Sequence, residues 1–232
     1  MSLLELQHVS KCYGRLNERV ALRDVSLQVE VGEMVVVWGL RRSGRSTLLR
    51  IAAGIETPDV GVVRFDGCDV GADPGYGLGD GIGYCRKRFA PGEGRLVIDQ
   101  LITGLIARGV PLSSAVRRAR AALERTEIAD AATLTPAELD HGEAVRAAIA
   151  RALAFTPRLL LIDEPTIGVD LLARDGILML LHSLAQEGTA VLASTGESPG
   201  LSGARALTLS EGELHGPAAP GLAKVLPLRR SA

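Results

Sequence analysis

Two segments near the start of the chain alternate apolar and polar residues, at positions 3–9 and 25–31. This two-residue period is typical of strands that turn one face toward a core. Residues 34–38 are instead continuously apolar, and a second such run occupies residues 159–162. Continuous runs predict strands that are covered on both faces, as in the middle of a parallel sheet.

Apolar residues at three- and four-residue steps predict helices in the rest of the chain. The predicted helices occupy residues 46–53, 97–108, 113–125, 142–155 and 171–186, and short strands are predicted at 62–65, 189–194 and 204–209. Residues 71–81 are rich in Gly, Asp and Pro and predict a loop. Because strands alternate with helices and a helical block interrupts them, the pattern predicts an α/β fold with a helical insertion.

Composition and charge exclude several classes of function. The chain has 232 residues, 47% of them hydrophobic, which suits one large α/β domain. A formal net charge of -1 and an aromatic content of 3% argue against a nucleic-acid surface. The three cysteines show no metal-ligand spacing and predict reduced thiols. No apolar run is long enough to span a bilayer, and the first residues do not resemble a signal peptide.

The first candidate motif, GLRRSGRST at residues 39–47, lies between a buried strand and a helix. It matches the P-loop pattern G-x-x-x-x-G-K-[ST] at every fixed position except the lysine, which is Arg45. Such a loop binds phosphate oxygens through backbone N–H groups and a helix N-terminus, and the hydroxyl of Ser46 would hold Mg²⁺. An ordinary glycine turn is the alternative for this motif alone.

The second motif, LLLIDEP at residues 159–165, ends a buried strand in two carboxylates. In open α/β sheets the carboxyl ends of the strands face the ligand crevice. Asp163 would bind the Mg²⁺ shell, and Glu164 could polarise an attacking water. A surface turn is the alternative, but the P-loop motif earlier in the chain favours the phosphate site.

A third stretch, residues 139–153, precedes that strand and ends in AIARAL. With DEPT at 163–166 and GVD at 168–170, its order and spacing resemble the nucleotide-binding domain of ABC transporters. The resemblance covers about residues 3–215. Segments 17–22 and 105–111 look most like the lipoprotein-release, macrolide-export and cell-division subunits of that family.

The resemblance implies a P-loop NTPase (RecA-like) core with an antiparallel β subdomain and an inserted α-helical subdomain. The core would comprise about residues 1–86 and 157–215, the insertion 87–156, and a loose tail 216–232. The implied cofactors are ATP and Mg²⁺. The implied partners are a transmembrane permease and a second nucleotide-binding subunit, identical or different, with no nucleic acid. The implied location is peripheral, on the cytoplasmic face of the inner or plasma membrane.

The resemblance also assigns site residues. Glu164 is the expected catalytic residue, and Ser46 and Asp163 are the expected metal-binding residues. Tyr13 occupies the position of an aromatic that stacks on adenine. The full expected nucleotide-binding set is Tyr13, Gly39, Leu40, Arg41, Arg42, Ser43, Gly44, Arg45, Ser46, Thr47, Asp163 and Asp170.

The sequence departs from the family at positions that carry the chemistry. Arginine cannot simply replace the P-loop lysine, because its guanidinium is longer, planar and fork-shaped. The substituted positions are Arg42 for glycine, Arg45 for lysine, Lys87 for glutamine, Asp140 for the signature serine, His141 for the signature glycine and Gly196 for histidine.

Two hypotheses follow from these departures. One is a working, slow ATPase that drives export through a membrane partner. The other is a pseudo-ATPase that serves as a structural or regulatory subunit beside an intact ATPase. A third, a lone soluble P-loop kinase, is disfavoured by the signature helix and the segment around Asp170.

Overall fold

The computed structural model describes residues 2–14, 19–71, 81–85, 94–196 and 203–217. The strands are β1 (Ser2–Tyr13), β2 (Arg19–Glu30), β3 (Met34–Trp38), β4 (Val60–Phe65), β5 (Cys68–Asp69), β6 (Ile82–Cys85), β7 (Leu159–Asp163), β8 (Ala190–Thr195), β9 (Arg205–Ser210) and β10 (Glu213–Pro217). The helices are α1 (Arg45–Ala52), α2 (Val97–Ile106), α3 (Leu112–Arg125), α4 (His141–Leu153) and α5 (Leu171–Gln186), with a short 3-10 helix at Ala129–Thr133.

The central sheet of the described residues has six strands in the order β10-β9-β3-β8-β7-β6. Strands β9, β3, β8, β7 and β6 run parallel, and β10 is antiparallel to β9 at one edge. All five residues of β7 are buried, as are the first four of β3. The prediction of two strands covered on both faces is therefore confirmed.

A smaller antiparallel sheet with the order β2-β1-β4-β5 covers one side of the core. Its apolar side chains pack with helix α1 and with Val35 and Val37 of β3. Val36, which points the opposite way along the same strand, packs instead into the core of helices α2 to α5. The two faces of β3 thus join the antiparallel sheet and the helical part to one central layer.

In the core formed by helices α2 to α5, small residues allow the helices to approach one another closely. Helix α3 buries Ala115, Ala119 and Ala122 at helical spacing, and α4 buries a run of alanines against them. The five predicted helices are all present, and their bounds differ from the predicted ones by a few residues. No helix in the described ranges is long and apolar enough to cross a bilayer.

The structure also differs from the sequence-based prediction in several strands. Strands β1 and β2 are each 12 residues long, because their mutual pairing extends beyond the alternating apolar core positions. Strand β6 was not predicted; it has 4 residues including a glycine, and it forms only because β7 pairs with it. Strand β10 was also missed and runs to Pro217, into the start of the predicted tail. The rest of the tail and most of the predicted loop at 71–81 lie outside the described residues.

The fold makes a prediction about thiol reactivity. Cys85 is buried beneath α4, and its burial raises the pKa of the thiol to about 12, whereas Cys12 and Cys68 are exposed. Because the thiolate is the reactive form, Cys12 and Cys68 should react quickly with an aromatic disulfide reagent at pH 8, and Cys85 only after unfolding. A Cys12→Ser/Cys68→Ser variant isolates Cys85. Fast colour release from that folded variant would contradict the burial of Cys85.

Candidate functional site

Three neighbouring strands of the central sheet end at one edge, and each is followed by a predicted site segment. The loop at 39–47 follows β3, the pair Asp163 and Glu164 ends β7, and Gly196 follows β8. The end of β8 ties the other two together through backbone hydrogen bonds. The N–H of Gly39 donates to the carbonyl of Thr195 at 3.2 Å, and the N–H of Glu164 donates to the carbonyl of Ser194 at 3.2 Å.

The backbone of the loop requires glycine at one point and tolerates arginine at another. Gly44 caps helix α1 with φ 108°, and a Cβ there would collide with the carbonyl of Ala21. Arg42, at the position where the family has glycine, adopts φ 69°. A left-handed conformation costs a non-glycine residue about 1–2 kcal/mol. The carbonyl of Arg42 accepts a hydrogen bond from Arg19 Nη2 at 3.0 Å.

The two expected metal-binding side chains are in direct contact. Ser46 Oγ donates to Asp163 Oδ2 at 2.8 Å, and Ser194 Oγ donates to Asp163 Oδ1 at 2.6 Å. A hydroxyl and a carboxylate are hard oxygen ligands of the kind that Mg²⁺ prefers, together with phosphate oxygens and water. These residues therefore fit a magnesium site beside the loop.

A buried ion pair joins the loop helix to the end of β7. Arg45 Nη2 donates to Glu164 Oε1 at 2.8 Å, and the two side chains are only 6% and 11% exposed. Glu164 has φ 50°, and its backbone N–H donates a hydrogen bond to Ser194 Oγ at 3.0 Å, which holds the backbone beneath the ion pair. Within the described part of the chain, Arg45 Nη1 is buried without a hydrogen-bond partner.

Gly196 lies directly against this ion pair. A Cβ built on Gly196 would lie 3.5 Å and 3.6 Å from the two terminal nitrogens of Arg45, and 3.9 Å from Glu164 Oε1. These are ordinary van der Waals distances, so alanine fits. A larger side chain that turned toward the pair would share the volume that the guanidinium fills. Glycine at position 196 therefore suits arginine at position 45.

The loop, Glu164 and Gly196 line an open cleft of about 1070 Å³. The described residues that line it include five arginines and one glutamate, so the cleft is electropositive. The five are Arg19, Arg41, Arg42, Arg45 and Arg50. Leu40, at the tip of the loop, is 71% exposed. Ser43 is buried, and no described residue hydrogen-bonds to its hydroxyl.

Tyr13 lines the cleft, and a polar network holds its hydroxyl. The hydroxyl lies 3.2 Å from Thr47 Oγ1, accepts a hydrogen bond from Arg50 Nη2 at 2.9 Å, and donates to Glu56. Burial lowers the pKa of Arg50, but its hydrogen bonds to Glu56 and Tyr13 outweigh burial and raise that pKa overall. Arg50 and Glu56 are not predictable as members of this network from the sequence, because no spacing pattern links them to Tyr13.

Two further predicted positions cap helices outside the cleft. Asp140 and Glu143 form a capping box at the start of α4, with bonds of 2.8 and 2.9 Å. Asp170 Oδ1 accepts a hydrogen bond from the N–H of Ala173 at 3.0 Å and caps α5. Asp170 does not line the cleft, so in a single subunit it is separate from the other predicted nucleotide residues. Lys87 lies outside the described residues.

The site combines a phosphate-binding type of loop, placed between a buried strand and a helix, with two carboxylates at the edge of a parallel sheet. This combination defines the P-loop nucleotide-binding class. The sequence profile described as "ABC transporter" matches residues 22–167. The chain is 36% identical over 220 residues to the cell division ATP-binding protein FtsE of Escherichia coli strain K12, covering 92% of this chain and 98% of that protein. The chain therefore belongs to the ABC transporter family, as its motifs predict.

Other relatives support the same conclusion. The methionine import ATP-binding protein MetN 2 of Enterococcus faecalis is 35% identical over 191 residues, which are 81% of this chain and 55% of that protein. Among solved structures, the dimeric ATP-binding cassette MJ0796 bound to ADP and Pi superposes with a TM-score of 0.81. That pair shares 26% identity and covers 93% of this chain and 99% of the other.

The ion pair predicts strong energetic coupling between positions 45 and 164. Arg45→Met or Glu164→Gln leaves one buried charge without its partner, and each should lower the free energy of unfolding by about 3–5 kcal/mol. The double variant should lose less than the sum, with a coupling energy of about 1–3 kcal/mol in urea unfolding followed by circular dichroism.

The matched control is the pair of Arg205 and Glu33, whose side chains are 37% and 24% exposed. The cycle of Arg205→Met and Glu33→Gln should give a coupling energy below about 1 kcal/mol. Strictly additive losses at positions 45 and 164 would show that the buried pair does not form in solution.

Proposed function

We propose that this chain is the ATP-binding subunit of an ABC transporter complex and that its own ATP hydrolysis is impaired. The observation that supports impaired hydrolysis is the buried ion pair between Arg45 Nη2 and Glu164 Oε1, which are 2.8 Å apart. The residue expected to activate water is already engaged by the residue that stands in the place of the P-loop lysine.

Binding of a magnesium nucleotide draws on features that remain intact. The loop backbone at 39–47 and the N-terminus of α1 offer N–H groups to phosphate oxygens. Ser46 and Asp163 would hold Mg²⁺, which when bound offsets negative charge on the phosphate oxygens. The arginines that line the cleft attract a polyanion. Tyr13 lies at the edge of the cleft, where its half-buried ring is the proposed contact for adenine.

Hydrolysis needs more than attraction, because a general base acts only on a positioned water next to a clamped terminal phosphate. Here one oxygen of Glu164 accepts a charge-assisted hydrogen bond from Arg45, so water has to compete for the carboxylate. Gly196 has no side chain with which to contact the terminal phosphate. Both features favour slow turnover.

The second candidate function is a pseudo-ATPase that pairs with an intact ATPase. Asp140 favours it, because a carboxylate stands where the family's serine helps bind the terminal phosphate of the partner's ATP. The capping box shows that Asp140 preserves the start of α4. A fixed negative charge there would still repel phosphate across a subunit interface.

The proposed partners are a second nucleotide-binding subunit and a transmembrane permease. Exposed apolar residues surround the cleft and the start of α5, namely Leu40 (71%), Ile167 (49%), Leu171 (75%) and Leu172 (86%). They form the proposed contact with the second subunit. The segment around residues 87–105, only part of which is described, is the proposed contact with the permease at the cytoplasmic face of the membrane. Export is the proposed direction and rests on the subgroup resemblance alone.

Nucleotide binding can be followed through Trp38, which is the chain's one tryptophan and directly precedes Gly39. Its indole Nε1 is buried and has no hydrogen-bond partner among the described residues. Magnesium nucleotide should therefore change the Trp38 emission in a saturable way. A flat titration up to millimolar nucleotide, on protein that remains folded by circular dichroism, would favour the structural subunit instead.

Turnover by the isolated chain should lie near background. Restoring the family's residues should raise it, since removal of one well-placed electrostatic group from a site costs roughly a hundredfold or more in rate. The restored variant combines Arg42→Gly, Arg45→Lys, Lys87→Gln, Asp140→Ser, His141→Gly and Gly196→His. Adding Glu164→Gln to that variant should abolish the gain, as measured by phosphate release. Brisk hydrolysis by the wild-type chain that stops with Glu164→Gln alone would contradict impaired chemistry.

A further inference from the structure

The guanidinium of Arg45 is longer and broader than a lysine ammonium, and it extends to Glu164. Its Nη2 is bonded to Glu164 at 2.8 Å, and a Cβ at Gly196 would lie 3.5–3.6 Å from its two terminal nitrogens. The cation of a P-loop reaches the β- and γ-phosphates of a bound nucleotide, so a γ-phosphate would lie at this end of the cleft. Here the guanidinium lies between Glu164 and Gly196 at that end.

We propose that the Arg45–Glu164 pair occupies the volume of a γ-phosphate and makes the cleft selective for a nucleoside diphosphate over a triphosphate. The inference rests on the proposed function, in that the cleft must bind magnesium nucleotide at all. Beyond that function, the preferred nucleotide is a diphosphate, and Arg45 is the residue that determines the preference.

The part of the site that would hold the first two phosphates keeps the features that a P-loop needs. Gly44 has the left-handed conformation that the loop requires, and helix α1 begins directly after it. Ser46 and Asp163 lie together on the metal side of the loop. Arg45 Nη1 is buried and has no acceptor among the described residues, so the guanidinium retains an unused donor that the terminal phosphate of a diphosphate would take up once a small shift exposes it.

A triphosphate meets two obstacles that a diphosphate avoids. Its γ-phosphate has to displace the guanidinium, which breaks an ion pair whose side chains are 6% and 11% exposed. Once Arg45 moves away, the carboxylate of Glu164 faces a phosphate of the same charge in a poorly hydrated site. A lysine ammonium is more compact than a guanidinium, so it leaves more of this volume to a γ-phosphate.

The steric relation with Gly196 supplies an internal check. A Cβ at position 196 would lie at van der Waals distance from the guanidinium, so a histidine whose ring turns toward the ion pair competes with Arg45 for space. The combination of Arg45→Lys with Gly196→His removes that competition. The diphosphate preference should therefore be lost in this double variant, which opens the volume between Glu164 and the loop.

The experiment compares the affinities of Mg-ADP and of a non-hydrolysable Mg-ATP analogue by calorimetry and by Trp38 emission. The wild-type chain should bind the diphosphate at least about tenfold more tightly. The Arg45→Lys/Gly196→His variant should bind both equally or favour the triphosphate. Arg205→Lys is the matched control, because Arg205 pairs with Glu33 away from the cleft and should keep the wild-type preference. Circular dichroism verifies the folding of each protein.

The outcomes separate the two proposals. Equal or tighter binding of the triphosphate analogue by the wild-type chain overturns the diphosphate preference while leaving nucleotide binding intact. Binding of neither nucleotide overturns nucleotide binding itself. A preference that persists in the double variant shows that Arg45 does not cause it. If the double variant does not fold, Arg45→Lys alone serves in its place, because it keeps a cation beside Glu164, removes the bulk of the guanidinium and should reduce the preference at least severalfold.

Discussion

The buried ion pair between Arg45 and Glu164 is the contact on which the geometry of the cleft depends. It joins two residues that are 119 positions apart in sequence, one on the helix after the loop and one at the end of β7. A buried charge is stable only with its partner, so each of the two residues holds the other in place. Gly196 completes the arrangement by leaving space for the guanidinium. Two departures from the family pattern, Arg45 and Gly196, thus form one structural unit with the retained Glu164.

Asp140, another departure from the family pattern, preserves structure in a comparable way. A helix N-terminus needs a hydrogen-bond acceptor for its free N–H groups, and aspartate satisfies this need as well as serine does. Asp140 accordingly caps α4 and forms a reciprocal pair with Glu143. The same carboxylate adds a negative charge at a position where the family binds phosphate. Asp140 thus meets the requirement of the fold, and under the proposed function it opposes phosphate binding, because capping depends on an acceptor oxygen and phosphate binding depends on charge.

Much of the fold follows from local patterns in the sequence. The continuous apolar runs identify β3 and β7, and helical periodicity identifies all five helices, since both signals arise from neighbouring residues. Strands β6 and β10 escape prediction because short segments become strands only through their partners. The loop and the two carboxylates after β7 are predictable from their motifs. The partner of Arg45 is not, because nothing in the local sequence records that Gly196 leaves room for a guanidinium beside Glu164.

The difference between binding and hydrolysis in this cleft follows from how each depends on distance. Attraction between arginines and phosphate falls off gradually with separation, so several cations placed around the cleft can together replace one lysine. Hydrolysis instead requires a water, a base and a terminal phosphate within about an ångström of their productive positions. Arg45 adds to the first effect and opposes the second, because its charge remains in the cleft while its length carries it to Glu164. Under the proposed function, a single substitution of one cation for another therefore retains the attraction for phosphate and removes the geometry needed to cleave it.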